Sequence, residues 1–186
     1  MTATDPAGNA GELCVSGRPV TIRAEEDRDR AAVRAINERA FDSPAEADLV
    51  DALRIEARPL VSLVAERDRS IAGHIMFSPV TLMGHTDLRI MGLAPMAVTP
   101  SLQNCGIGSA LVRAGLESCR KLGAGAVVVL GHPEYYPRFG FAPSVKFGIR
   151  CEYEVPEEAF MITELQSGFL SGASGTVRYH AAFRTP

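Results

Sequence analysis

Apolar residues recur at two different spacings along the chain, and this pattern predicts strands and helices in a mixed order. Residues 20–24 alternate apolar and polar positions, as a half-buried strand does. Residues 27–41 and 43–57 instead repeat apolar side chains every three or four positions, which predicts two helices. The second helix begins with Ser43 as its predicted N-cap and Pro44 as its first residue. The chain is therefore expected to start with one strand followed by two helices.

The rest of the chain adds strands on both sides of a third predicted helix. Residues 60–84 contain two apolar runs separated by the polar sequence ERDRS, which is typical of an antiparallel hairpin, and residues 88–98 predict a further strand. Residues 106–122 form a long amphipathic segment, and the run AVVVLG after it is apolar throughout, like a strand buried on both faces. The final residues 171–186 predict an edge strand. This order indicates one mixed α/β layer structure.

Length and composition fit a single domain and disfavour several classes of function. A chain of 186 residues can bury one core, and residues 1–19, which have no apolar period, predict a flexible tail ahead of a domain over 20–186. The net charge of −3 gives no basic field for nucleic acid. The four cysteines have no metal-ligand spacing, so reduced thiols and no metal are expected. Without a signal peptide or an apolar run of about 18 residues, the sequence predicts a cytoplasmic protein with no membrane partner.

The sequence QNCGIGS, residues 103–109, lies between an apolar strand and the long helix, where mixed sheets place ligands. The first turn of a helix has backbone N–H groups without intrahelical partners, and together with the helix dipole they attract anions. Gly106 and Gly108 add no Cβ atom that would keep a phosphate away. The stretch lacks the GK[ST] of a Walker A loop and the third glycine of a dinucleotide fingerprint. These residues alone leave a phosphate cradle and a plain tight turn open.

Residues 93–141 carry further motifs around this turn. They are a strand ending in Met96, Ala97 and Val98, the pattern Gln103-x-x-Gly106-x-Gly108, a helix of the ALVRAGLE type, and Tyr135-Tyr136-Pro-Arg-Phe-Gly140-Phe141. Together they resemble the acyl-CoA site of the GNAT superfamily of N-acetyltransferases, and most of all its YhbS-like subgroup. The resemblance extends from about Val20 to the C-terminus and implies the GNAT acyl-CoA N-acyltransferase fold. That fold, of the α/β (α+β) class, has a mixed, mostly antiparallel central sheet of about six or seven strands flanked by helices.

The resemblance also implies acetyl-CoA as co-substrate and assigns its contacts. The pantetheine arm would pair with the strand end and the pyrophosphate would lie on the helix N-terminus, which gives as binding residues Met96, Ala97, Val98, Gln103, Asn104, Cys105, Gly106, Ile107, Gly108 and Ser109. In the family, the tyrosine four residues before the Gly of the GF pair lies near the thioester sulfur, and here that residue is Tyr136. A phenol with a pKa near 10 stays protonated at neutral pH, so Tyr136 is the implied general acid. Tyr135 is predicted to be a packing residue.

The general base has four candidates in the sequence. It removes a proton from the ammonium form of the acceptor, and Glu46, His74, His132 and Glu134 all have suitable chemistry. We rank His132 first because it directly follows the AVVVLG strand and precedes the two tyrosines. Members of the subgroup often have Asp at this position. His74, in the sequence IAGHIMFSP, is also predicted as a hydrogen-bonded structural residue.

Asn104 and Cys105 occupy positions where the family often has Arg or Lys. Backbone donors then carry more of the pyrophosphate binding, which predicts acetyl-CoA binding that is weaker or less salt-sensitive than in other members. Asn104 has a second interpretation as a cap of the helix. Cys105 either forms a mixed disulfide with coenzyme A or is simply a small residue tolerated at a variable position.

These features predict an acyltransferase that moves an acetyl group from acetyl-CoA to a primary amine by direct attack, without an acyl-enzyme. The alternative is a catalytically inactive acyl-CoA-binding sensor or regulatory module, and the presence of Tyr136 favours the enzyme. The acceptor is expected to be a small-molecule or peptide amine, and nothing in the sequence selects among amino acids, polyamines, antibiotics, peptides and modified nucleosides. An exposed edge strand would allow a homodimer.

Overall fold

The computed structural model describes residues 13–15 and 18–184, and its elements follow the predicted order. Within these residues the strands are β1 Leu13–Val15, β2 Arg18–Ala24, β3 Val61–Arg67, β4 Ser70–Leu82, β5 Ile90–Val98, β6 Ala126–Leu130, β7 Ala142–Pro143, β8 Ile149–Cys151, β9 Phe160–Glu164 and β10 Gly175–Arg178. The α-helices are α1 Arg30–Phe41, α2 Ala45–Glu56 and α3 Ile107–Lys121. A short 3₁₀-helix over Tyr136–Phe139 follows β6. The predicted strand, helix pair, three strands, helix and strand are all present.

The strands form one sheet that is mostly antiparallel. Neighbouring strands follow the order β1, β2, β3, β4, β5, β6, β9, β7, and β10 joins β4 to β8. β5 pairs in parallel with β6, and β10 in parallel with β8, whereas the other pairings are antiparallel. The predicted mixed, mostly antiparallel sheet flanked by helices is therefore confirmed. Its main body consists of β2 to β6 with β9 and β7.

The predicted tail over residues 1–19 needs a correction at its C-terminal end. β1 pairs with β2 so that Leu13 lies opposite Val20, and β2 already begins at Arg18. Backbone ladder bonds hold β1 in the sheet, and a strand of three residues is too short to show an apolar period in the sequence. The rest of the predicted tail, residues 1–12 with 16 and 17, lies outside the described residues.

Two other predictions need a correction, namely the start of α2 and the position of the C-terminal segment in the sheet. α2 begins at Ala45 with Pro44 as its N-cap, although the Ser43 hydroxyl does accept a hydrogen bond from the Ala45 N–H at 3.1 Å. The C-terminal segment does not form an edge, because β10 lies between β4 and β8. Val177 explains this position, since its side chain is fully buried in a core beneath β10 and an edge would leave it partly in water.

α3 packs closely on one face of the sheet. Its apolar stripe consists of Ile107, Leu111, Val112, Leu116 and Cys119, all buried. Gly115 lies on the same face, where a Cβ atom would come within 2.2 Å of the Phe77 ring of β4. The helix ends at Lys121, two residues before Gly123, whose φ of +80° is typical of a Schellman motif, as is the bond from the Ala124 N–H to the Cys119 carbonyl at 3.0 Å. Packing therefore fixes the height of α3 above the sheet.

α1 and α2 form a helical hairpin on the opposite face. Val33, Val50 and Leu53 belong to a buried cluster with Val64 of β3 and Met76 of β4. This cluster anchors the hairpin to the sheet through apolar contacts. The hairpin therefore covers the same strands as α3, from the other side.

Ion pairs also join the two helices of the hairpin. The Arg34 guanidinium of α1 binds the carboxylates of Asp48 at 2.7 Å and Asp51 at 2.9 Å. Because the connecting loop is only three residues long, the helices run antiparallel and side by side. These contacts set which turns of α1 and α2 face each other.

Candidate active site

The C-terminal end of β5 leaves the sheet open on one side. β5 pairs with β6 only as far as Leu93 opposite Val129, whereas its pairing with β4 continues to Val98. Pro95, which has no N–H to continue a ladder, lies where β5 separates from β6. Residues 94–98 therefore have one edge without a neighbouring strand.

The direction of the backbone groups on this edge follows from the bonds to β4. The Thr99 N–H donates to the Ala72 carbonyl at 2.9 Å, so residue 99 turns its polar groups towards β4. In an antiparallel ladder successive residues alternate in direction, so Ala97 also turns towards β4. The N–H and C=O groups of Met96 and Val98 consequently face the open side. Of the three predicted pantetheine contacts on β5, these two have the suitable orientation.

Gln103 holds the loop after β5 close to this edge. Its side-chain amide donates to the Val98 carbonyl at 3.3 Å, and its backbone N–H donates to the Pro100 carbonyl at 3.3 Å. The backbone N–H of Gln103 is thus already used within the loop. Gln103 can therefore bind a ligand through its side-chain amide, which would exchange its hydrogen bond to the Val98 carbonyl for one to the ligand.

The loop beyond Gln103 presents a row of free donors. The backbone N–H groups of residues 104–109 have no hydrogen-bond acceptor in the described part of the chain. Gly106 is the N-cap of α3 with a φ of +88°, and Asn104 has a φ of +59°. Such left-handed residues turn consecutive N–H groups towards one side, as in anion-binding backbone concavities. The helix N-terminus adds the positive end of its dipole.

Asn104 and Cys105 are the two loop residues that have alternative predicted roles. The prediction that Asn104 caps α3 is wrong, because the N-cap is Gly106 and no side chain caps the helix. Asn104 instead adopts the left-handed conformation that its short polar side chain tolerates. Cys105 is exposed and carries a free thiol, so the mixed disulfide with coenzyme A stays a prediction.

Tyr135 lies between the loop and the end of β5. Its hydroxyl is 3.5 Å from the Ser109 hydroxyl, and the guanidinium of Arg138 lies 4.7 Å from its ring centroid. A Cβ atom at Gly108 would come within 2.9 Å of the same hydroxyl and 3.8 Å of the Met96 sulfur. Gly108 therefore keeps open the space where α3, β5 and Tyr135 meet.

Tyr136 is buried beneath the end of β6. Its ring packs on Gly131, where a Cβ atom would lie 2.3 Å away, and edge-to-face on Phe141 at a centroid distance of 5.6 Å. Burial raises the pKa of Tyr136 above its ordinary value near 10, with a smaller contribution from the neighbouring Tyr135. The phenol is therefore protonated at neutral pH, as a general acid must be.

The four candidate bases occupy different environments. His132 and Glu134 are both exposed in the segment between β6 and the tyrosines. Glu46 is half-buried in the first turn of α2, and its Oε2 atom is shielded from solvent without a hydrogen-bond partner in the described residues. His74 is fully buried on the α1 face of β4.

His74 is held at both ring nitrogens. Nδ1 lies 3.3 Å from the Asn37 amide nitrogen, and Nε2 lies 3.0 Å from the Ser62 hydroxyl, which in turn donates to Glu25. Glu25 is ion-paired with Arg54. Burial lowers the pKa of His74 to about 3, and the positive charge of Arg54 acts in the same direction. These contacts support the structural interpretation of His74 and argue against its use as a base.

Residues 13–15 and 18–184 contain no group of three His, Cys, Asp or Glu side chains that could hold a metal ion. In the same part of the chain no helix has the length and apolar character needed to cross a bilayer.

The fold and the open β5 edge agree with comparisons to known proteins. Residues 30–141 match the model of the acetyltransferase (GNAT) family. The chain belongs to the GNAT family and has its fold, and is therefore an N-acetyltransferase by membership.

Individual relatives extend the match to most of the chain. An N-acetyltransferase of Escherichia coli strain K12, YhbS, is 39% identical over 163 residues, which cover 87% of this chain and 97% of YhbS. The crystal structure of YhbS from Escherichia coli in complex with CoA superposes with a TM-score of 0.85 at 36% identity, covering 99% of this chain and 97% of that one. A GNAT family acetyltransferase from Brucella melitensis in complex with acetyl-CoA gives a TM-score of 0.73 at 37% identity, covering 88% and 97%.

The structure adds two residues that the sequence analysis did not select. Tyr135, predicted to pack, brings its hydroxyl to the first turn of α3. Asn37 is fully buried against His74. A signal for Asn37 was available, because it lies four residues after the buried Val33 and thus on the apolar face of α1. A polar residue in that position needs a partner or a ligand.

Proposed function

We propose that this protein transfers an acetyl group from acetyl-CoA to the primary amine of a small-molecule or peptide acceptor. One observation carries the proposal: the open edge of β5 at Met96 and Val98 adjoins a helix N-terminus whose N–H groups at residues 104–109 have no acceptor in the described chain. The complexes of the two solved relatives with CoA and acetyl-CoA support it.

The chemistry of the two donor sets matches the two parts of acetyl-CoA. The pantetheine arm contains amides, which pair with a strand edge as another strand would. The pyrophosphate is anionic and suits a row of backbone N–H groups at a helix N-terminus. In our proposal Met96, Ala97 and Val98 hold the arm, and the loop from Gln103 to Ser109 holds the pyrophosphate. Ala97 contributes its position in the strand, since its polar groups turn towards β4.

The reacting groups follow from these positions. Bound acetyl-CoA supplies the thioester that an amine attacks directly. The Met96 N–H on the open edge is placed to donate to the carbonyl oxygen, as an oxyanion-hole donor does. Tyr136 gives its proton to the departing sulfur, and its raised pKa keeps that proton in place until it is needed. The sequence ranks His132, which is exposed, first among the candidate bases, and the position of Glu46 offers an alternative.

A measurement of thermal stability, followed by an assay of acetyl transfer, tests this proposal. Acetyl-CoA at millimolar concentration should raise the Tm of the purified protein, because a ligand that binds only the folded state stabilises it. Thiol release with a panel of chemically diverse amines should then identify an acceptor. Absence of any Tm shift would contradict acetyl-CoA binding. A shift without transfer, in a panel that covers the amine classes named above, would favour the acyl-CoA-binding sensor.

We also propose a cytoplasmic location, where acetyl-CoA would be consumed as a co-substrate. The same proposal includes a homodimer formed through an exposed strand edge. Fractionation and size-exclusion chromatography test them.

A further inference from the structure

The face of the sheet opposite α3 contains a buried amide with a free acceptor. The Asn37 side chain is fully buried, and its nitrogen donates to the Val33 carbonyl at 2.9 Å and contacts His74 Nδ1 at 3.3 Å. The Val33 carbonyl fixes the amide orientation, since a flipped amide would bring two oxygens together. The Asn37 Oδ1 atom is buried and has no partner in the described residues. Native proteins rarely leave such an acceptor unused.

Glu46 provides a second unpartnered acceptor from α2. It lies four residues before Val50 and seven before Leu53, which are 1% and 0% exposed, so it belongs to the inward face of the helix. Its Oε2 atom is shielded from solvent, and none of the described arginines or lysines pairs with it. A carboxylate oxygen that is shielded from solvent and has no hydrogen-bond donor is an unsatisfied acceptor.

The helical hairpin brings these two acceptors to the same height along the axes of α1 and α2. Arg34 of α1 reaches Asp48 and Asp51 of α2, which fixes the register of the antiparallel pair. One turn further towards the connecting loop on each helix, Asn37 lies opposite the first turn of α2, which contains Glu46. Both side chains belong to the inward faces of their helices.

The same level of the hairpin lies over the open end of β5. Asn37 contacts His74 of β4, and His74 pairs with Ala97 of β5, the neighbour of Met96. The amide is thus connected through His74 and Ala97 to the strand edge to which we assign the acetyl end of acetyl-CoA. A group between Asn37 and Glu46 would approach β5 from the face opposite α3.

We propose that Asn37 Oδ1 and Glu46 Oε2 receive the ammonium group of the acceptor, and that Glu46 is the base that deprotonates it. This inference rests on the proposed function. Two oxygen acceptors, one of them anionic and neither with a partner in the described residues, suit a group with three N–H donors and one positive charge. Asn37 positions the ammonium, and Glu46 both binds it and removes its proton. The substrate class is therefore a protonated primary amine whose reactive end is slender enough to enter between the two helices.

The protons balance over one cycle. The ammonium R–NH₃⁺ gives one proton to the Glu46 carboxylate, which frees the nitrogen lone pair. That pair forms the new C–N bond while the C–S bond breaks and its electrons remain on sulfur. The sulfur gains a proton from the Tyr136 hydroxyl, and the second proton that the nitrogen loses on becoming an amide returns to the Tyr136 oxygen. Glu46 finally releases its proton to water, so the products are the acetamide, the thiol of CoA and one proton.

A binding experiment tests the site without knowledge of the natural acceptor. The protein saturated with CoA is titrated with methylammonium chloride, and with tetramethylammonium chloride at the same ionic strength. Both ions carry one positive charge, but only methylammonium has N–H donors. We expect methylammonium to raise the Tm about 2–4 °C more than tetramethylammonium. We expect Glu46→Gln to abolish this difference, because the amide offers no anionic acceptor.

The matched control is Glu56→Gln, which changes an exposed carboxylate in the last turn of the same helix. It should keep the difference between the two ions. Equal Tm values for both ions in the wild-type protein, or an unchanged difference in Glu46→Gln, would overturn the proposal. Acetyl-CoA binding is measured in parallel, so a protein that binds acetyl-CoA but does not distinguish the two ions contradicts only this inference and leaves the proposed function intact.

Acetyl transfer to any amine found in the screen gives the second test. Glu46→Gln should lower kcat/KM by about 100-fold or more, the usual effect of removing a general base. Asn37→Ala should raise KM more than it lowers kcat, because it removes binding and leaves the base. His132→Gln is assayed alongside, and a larger loss there than in Glu46→Gln would overturn the role of Glu46 as the base. A Tm of Glu46→Gln above that of the wild type, both measured without ligand, would show that the variant is folded.

Discussion

The two faces of the central sheet offer a ligand different kinds of groups. On the α3 face, the donors are backbone N–H groups at the end of β5 and at residues 104–109. On the α1 and α2 face, the acceptors are side-chain oxygens of Asn37 and Glu46. The first set depends on the path of the chain, and the second depends on particular side chains. Backbone sites tolerate substitutions such as Asn104 and Cys105, whereas a side-chain site changes its ligand with a single replacement.

This difference explains why a family can keep its cofactor and vary its acceptor. A backbone cradle persists as long as the glycines and the strand end remain. The acceptor face has no such constraint, so fold and cofactor do not determine the substrate. Experiments that damage one face and leave the other intact therefore test the comparison directly.

Replacing Gly106 should break the α3 face most severely. Its φ of +88° is strongly unfavourable for a β-branched residue, so Gly106→Val must move the loop that carries the free N–H groups. We expect acetyl-CoA affinity, measured by isothermal titration calorimetry, to fall by about 100-fold or more.

Gly84→Val is the matched control for this strain. Gly84 has a φ of +90° in the turn between β4 and β5, and no atom lies within 4 Å of the position that a Cβ atom would take there. Both variants should lose about 1–3 kcal/mol of folding free energy, but Gly84→Val should bind acetyl-CoA normally. Equal binding losses in the two variants would show that general destabilisation, and not the cradle, controls affinity.

The two adjacent tyrosines divide binding from chemistry. Tyr136→Phe should lower kcat by about 10–100-fold with little change in acetyl-CoA affinity, because it removes only the proton donor. Tyr135→Phe should mainly weaken acetyl-CoA binding, because its hydroxyl lies at the first turn of α3, 3.5 Å from the Ser109 hydroxyl. Stopped-flow turnover and calorimetry separate the two effects. If Tyr135→Phe lowers kcat and Tyr136→Phe weakens acetyl-CoA binding instead, Tyr135 is the acid. Since burial raises the pKa of Tyr136, we expect no alkaline loss of activity from this group below about pH 10.

The buried His74 makes the acceptor face sensitive to acid. Its pKa is about 3 in the folded state and near 6.5 when unfolded, so below pH 6.5 the unfolded chain binds a proton that the folded chain does not. Stability is complete above about pH 6.5 and falls as the pH drops towards 3. At pH 5 the loss is about 2 kcal/mol, or roughly 4–8 °C in Tm.

His74→Gln removes this titration. At pH 7 the Tm of this variant should be lower than that of the wild type, because the substitution removes hydrogen bonds of His74. Between pH 7 and 5 the Tm of the variant should stay nearly constant. Asp29 does not interfere, because its ion pair with Arg23 lowers its pKa to about 2, outside this range. An equal slope of Tm against pH in both proteins would assign the acid sensitivity to another group.

The smallest expected effect concerns Asn104 and Cys105. Replacing them with Gly and Arg should relieve the φ of +59° at position 104 and add a charge to the cradle. We expect acetyl-CoA to bind about 3–10-fold tighter, with a steeper dependence on salt. Calorimetry at two salt concentrations measures both. No change would mean that backbone donors alone determine the affinity.

The α3 face can be predicted from the sequence more fully than the acceptor face, for a physical reason. Gly106, Gly108 and the apolar strand before them are local signals, because a helix N-terminus and its turn lie within a few residues. The separation of β5 from β6 at Pro95 is tertiary, so no local pattern in the sequence encodes it. The partnership of Asn37 with His74 joins residues 37 positions apart. No local period encodes such a contact, and only the polar residue on an apolar helix face hinted at it.

The close approach of Gly115 to Phe77 bears on attempts to make the enzyme more heat-resistant. Exchanging a helix-interior glycine for alanine is a common engineering choice, worth about 1 kcal/mol in helix propensity. Here the added methyl group would lie 2.2 Å from the ring, so α3 would have to rise and carry its N-terminus away from β5. Gly115 and Phe77 must therefore be redesigned as a pair, and a library that varies them independently would lose acetyl-CoA binding while searching for stability.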